Sequence, residues 1–136
     1  MACPYFDPGD RLRGSSGSLG DLYTGLCRAD SGAPWQPDDR TVADRCNLGY
    51  ARGRCAHFPA TGGPDSVRFS VSKHEPAALR ILYSLECDHR PLSNGALEYS
   101  LPGGAFSGAL PDDLPDGSLR RLAAAYVRSY LRRIAK

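Results

Sequence analysis

The hydrophobic period of this chain changes once, near residue 62, and that change limits what the chain can fold into. Beyond it, "SVRFSVS" alternates Val67, Phe69 and Val71 with Arg68, Ser70 and Ser72, while "LRILYSLEC" puts Leu79, Ile81, Tyr83, Leu85 and Cys87 on one face. "ALEYSL" repeats the pattern with Leu97, Tyr99 and Leu101. Alternation of this kind predicts strands with one face buried and the other wet. The connections "KHEPAA" and "DHRPLSNG" carry Pro, Asn-Gly and charges, so the three strands read as an antiparallel meander. "LPGGAFSGALPDDLPDG" follows as a long irregular connection.

The chain ends in "SLRRLAAAYVRSYLRRIAK", with Ser118 or Asp116 as N-cap. Leu119, Leu122, Ala123, Tyr126, Val127, Tyr130 and Ile134 recur at intervals of three and four, which predicts an amphipathic helix packed on the sheet. At about 100° per residue, Arg121, Arg128 and Arg132 fall opposite that stripe, with Arg120, Arg133 and Lys136 nearer its borders. These cations are candidates for contact with nucleic-acid phosphate, and a solvated helix face is the simpler reading.

Residues 1–61 sustain neither period and are rich in Gly, Pro, Ser and Asp, which predicts loops and short turns. The fold class is therefore α+β: a loop-rich four-cysteine N-terminal lobe (1–61), then a three-stranded antiparallel meander covered by one C-terminal helix (62–136). The two parts are expected to pack as one domain. With 136 residues, 41% of them hydrophobic and 24% charged, the chain suits one domain with a modest core. A net charge of only +2 gives no long-range steering toward nucleic acid or acidic lipid. No signal peptide or membrane-spanning run is visible, and a cytoplasmic setting is expected.

That setting decides how five cysteines are read. In a reducing compartment a cysteine-rich segment points to metal rather than disulfides, and an odd count argues against a closed disulfide framework. Cys87 continues a buried strand face and is expected to be a small core residue. Cys3, Cys27, Cys46 and Cys55 all lie in the half that cannot build a large core of its own. Four thiolates complete the shell of a zinc ion or an iron–sulfur cluster.

The intervals between them are 23, 18 and 8 residues, so there is no C-x(2–4)-C pair of the kind that folds tightly around one zinc ion. Each ligand comes from a separate segment, which suits a [4Fe–4S] cluster better, although the ferredoxin spacings are also missing. Gly49, Gly53, Arg45, Arg52 and Arg54 would place backbone amides and positive charge near such a cluster. His57 is the alternative ligand should it replace Cys3. Trp35 and the "CPYF" aromatics read as cover for the metal site before they read as a partner surface.

A Cys87–His89 catalytic pair is disfavoured, because adjacent strand-end residues point in opposing directions. Phosphate-loop, zinc-protease and nucleophile-elbow motifs are all missing. No catalytic residue is assigned. The sequence supports a small metal-binding accessory or interaction protein that docks on a larger protein or complex, with a cluster that is structural or a one-electron centre. The alternative is a nucleic-acid-binding module with a structural zinc site.

Overall fold

A computed structural model of the protein describes residues 2–14, 19, 21–29, 33–50, 55, 58, 63–107 and 118–134. Two antiparallel sheets and a C-terminal helix share its core. In the second half the strands are β3 (Ser66–His74), β4 (Ala78–Cys87), β5 (Arg90–Ser100) and β6 (Ala105–Ser107), hydrogen-bonded in that order. The meander therefore has four strands rather than three. The fourth comes from the connection read as irregular: three residues are too few to display a period, and they pair only with Glu98–Ser100.

Register follows the sequence pattern. Val67 faces Leu85, Phe69 faces Tyr83 and Ile81 faces Leu97, so all six side chains lie buried on the same face of the sheet. Arg68, Ser70 and Leu82 alternate onto the solvent side. Full burial of each large apolar side chain contributes about 1.5–3 kcal/mol.

The first half departs further from the loop-rich expectation. Strands β1 (Phe6–Gly14) and β2 (Asp21–Cys27) form an antiparallel hairpin whose register places Phe6 opposite Cys27 and Gly14 opposite Asp21. Pro8, Gly9 and Asp10 break the alternation of β1, and register shifts fall between Pro8 and Arg11 and again between Arg11 and Arg13. Such bulges hide a strand from a period-2 search. Gly25 lies where a Cβ would strike the Asp7 carbonyl, so only glycine lets the two strands approach.

A short helix α1 (Asp39–Thr41), capped by the Asp38 carboxylate accepting from the Thr41 amide at 2.8 Å, runs into a π-helical turn over Val42–Cys46. The long helix α2 (Ser118–Ile134) closes the structure. One side meets the four-stranded sheet, where the Tyr126 and Phe69 rings lie 5.5 Å apart.

Its other side meets the hairpin. The Tyr23 hydroxyl donates to the Ala125 carbonyl at 2.9 Å, the Ser129 hydroxyl donates to Asp21 at 2.7 Å, and Arg132 pairs with Asp21. Arg121 pairs with Asp7 at 3.2 Å, and Arg128 lies over the Tyr23 ring. The helix is thus buried on two faces, and its second seam is built from Ala, Ser and Arg rather than from an apolar stripe. Buried residues from both halves, among them Ala2, Phe6, Tyr23, Val42, Phe69, Ile81 and Leu122, form one core cluster.

Candidate metal centre

Four separate devices aim the N-terminal cysteines. The first is the N-terminal segment, which runs along the edge of β3: the Ala2 amide donates to the Val67 carbonyl and the Val67 amide to the Ala2 carbonyl, both at 2.9 Å. The next amide, that of Cys3, donates to the Cys46 carbonyl at 2.9 Å, so two of the cysteines are joined through the backbone.

Cys27 is the last residue of β2, and its amide and carbonyl exchange hydrogen bonds with those of Trp35. Trp35 therefore acts here through its backbone. Cys46 ends the π-helical turn, and the next residue, Asn47, locks it in place. The Asn47 side-chain amide donates to the Tyr23 carbonyl at 3.1 Å and to the Val42 carbonyl at 2.7 Å, while its oxygen accepts from the Tyr23 amide at 3.1 Å. Asn47 is almost wholly buried and ties β2 to the turn that carries Cys46.

Cys55 is described together with Phe58, whose amide donates to the Cys55 carbonyl at 3.1 Å. The Phe58 ring meets Tyr5 edge-on at 5.3 Å, which links the Cys55 segment to the turn after Cys3. His57, Arg52, Gly53 and Arg54 lie outside the described residues.

Each pair among Cys3, Cys27, Cys46 and Cys55 lies near enough for its charges to oppose one another. Burial pushes the Cys46 thiol up to about 12, with further upward contributions from Cys27 and Cys55. Burial raises Cys3; the backbone hydrogen bond at Tyr5 opposes it, and Cys46, Cys27 and Cys55 each add a smaller upward contribution. Burial also raises Cys27, and Cys55 adds to the effect. The raised thiols of Cys3, Cys27 and Cys46 favour the neutral form, and a bound cation reverses that preference. As placed, no three His, Cys, Asp or Glu side chains among the described residues are grouped to hold one metal ion.

Cys87 belongs to the four-stranded sheet. It ends β4, half-buried rather than in the core, with Asp88 as its side-chain neighbour. A register shift between Leu85 and Glu86 breaks the alternation just before it, which is why the inward face read from the sequence does not reach Cys87.

Two of the three arginines expected on the solvent face of α2 are placed differently. Arg121 and Arg132 are held by Asp7 and Asp21, while Arg120, Arg128 and Arg133 are exposed. Lys136 and the N-cap candidate Asp116 lie outside the described residues. No described helix is long and apolar enough to cross a membrane. Comparison with protein-family models, with curated proteins and with solved structures finds no match for the chain.

Proposed function

We propose that this chain is a small metal-binding accessory or interaction protein in which Cys3, Cys27, Cys46 and Cys55 hold a [4Fe–4S] cluster, structural or one-electron in role. One observation supports the reading: four cysteines from four separate segments lie within each other's field. A cubane accepts one thiolate at each of its four irons, so it tolerates ligands that arrive from different directions. A single zinc ion bound at about 2.3 Å to each sulfur draws all four thiolates tightly together, which is most easily met by short ligand pairs that this chain lacks. Zinc is the alternative occupant. A reducing cytoplasm and a larger protein partner belong to the same reading.

The nucleic-acid alternative loses support from the fold, because two of its three proposed phosphate contacts are engaged within the molecule. Individual replacement of the cysteines by serine tests the assignment. Cys3→Ser, Cys27→Ser, Cys46→Ser and Cys55→Ser are each expected to abolish stoichiometric metal retention, while Cys87→Ser retains it. Metal loss in the Cys87 variant equal to that in the others would overturn the ligand set.

A further inference from the structure

Among the described residues three non-glycines have positive φ, and all three meet at one place: Tyr50 (55°), Asp88 (51°) and His89 (66°). Asp88 and His89 form the two-residue turn between β4 and β5, a position where Asn-Gly is the favoured pair. Tyr50 follows Gly49, itself at 82°, in the segment between Cys46 and Cys55. The Tyr50 and His89 rings stack at 3.9 Å with 22° between their planes. Backbone sterics favour glycine at both positions, and both carry the rings that stack.

Further bonds fasten the same point. The Tyr50 hydroxyl donates to the Glu86 carboxylate, reaching its second oxygen at 2.9 Å, and Arg68 stands 3.7 Å from that carboxylate. Burial raises the Tyr50 phenol, and the Glu86 carboxylate raises it further, so it stays a donor. Asp65 binds both sides. Its carbonyl accepts from the Tyr50 amide at 2.8 Å, its amide donates to the Glu86 carbonyl at 2.9 Å, and its buried carboxylate accepts from the Asp88 amide at 3.3 Å.

We infer that Tyr50, Glu86 and His89 form a latch that fastens the turn after Cys46 onto the β4–β5 hairpin and governs how long the thiols retain their metal. The inference rests on the metal-binding reading above. Strained backbone persists only where surrounding contacts over-determine it, and here those contacts join a ligand-bearing segment to the sheet. Tyr50 and His89 are positioning residues: they act on the metal through the turn that carries Cys46.

The test compares the metal-bound parent with His89→Gly and Tyr50→Phe. Two quantities are measured: the rate of metal loss to a chelator, and amide hydrogen exchange along β4 and β5. Glycine relieves the turn, so His89→Gly is expected to slow exchange in the hairpin while it speeds metal loss about two- to tenfold, the range one stacked ring pair supports. Tyr50→Phe keeps the rings and loses the bond to Glu86, and is expected to fall between the parent and His89→Gly.

A residue that merely builds the hairpin moves both quantities in the same direction, and that outcome would overturn the latch. So would metal loss from His89→Gly at the parental rate. A parent that takes up no metal removes the metal reading together with the latch, whereas a metal-bound parent with an unchanged His89→Gly variant removes the latch alone.

Discussion

Asn47 makes three hydrogen bonds from a buried site, and each of its polar side-chain atoms is used by β2 or by the turn carrying Cys46. Asn47→Ala leaves the Tyr23 amide and carbonyl and the Val42 carbonyl short of that partner in a dry environment. The expected cost is about 1–3 kcal/mol of folding stability, read from denaturant unfolding, together with weaker metal retention. An unchanged midpoint would show that water replaces the side chain. Nothing in the sequence singles this residue out, because an Asn after a Cys belongs to no hydrophobic period. The four cysteines, by contrast, were singled out by the cysteine count and the half of the chain in which they lie, and the metal site built on them is a proposal. Cys87 shows the limit of the same reasoning: alternation was extrapolated one residue past a register shift that no residue type announces.

Helix α2 is an element whose length and apolar stripe were legible and whose second face was not. Hydrophobic periodicity cannot see a seam made of Ala125, Ser129, Arg121 and Arg132, because its contacts are hydrogen bonds and ion pairs to β1 and β2. The same blindness hid the β1–β2 hairpin, where Pro, Gly and Asp interrupt the alternation. β3 and β4 were legible because one face of each is packed and the other is wet. β5 was legible only around Leu97: its first half, Arg90 to Gly95, was read as part of a connection, is largely exposed, and pairs Asn94 and Gly95 within the strand. Burial alone would raise the Asp21 carboxyl, but hydrogen bonds from Ser129 and Arg11 and the charges of Arg132 and Arg11 outweigh it and hold the group below its ordinary value of 3.8. Its contribution to stability is therefore present above the unfolded-state value and lost as pH falls through the lower folded-state value. Asp21→Asn should be less stable than the parent at neutral pH, and the gap should narrow in acid as the parental carboxyl protonates. A gap that is constant with pH would mean that the carboxylate charge does not hold the helix.

At the scale of the whole molecule, one core spans both halves of the chain, so the cysteine lobe and the sheet are not energetically separate. Metal removal is expected to release more than residues 1–61. The β1–β2 hairpin rests on α2, and both should lose amide protection together in hydrogen exchange, while β3, β4 and β5 keep most of theirs through their own pairings. Loss confined to residues 1–61, with α2 fully protected, would show that the helix holds to the sheet without the hairpin. The central claim, that four thiols hold an iron–sulfur cluster, is tested most directly by purifying the protein without oxygen and measuring its absorbance, iron, acid-labile sulfide and zinc on one sample. The expected result is a brown protein absorbing at roughly 400 nm with iron and sulfide in the proportions of a [4Fe–4S] centre. A colourless protein carrying one zinc ion per chain, or no metal at all, would contradict it.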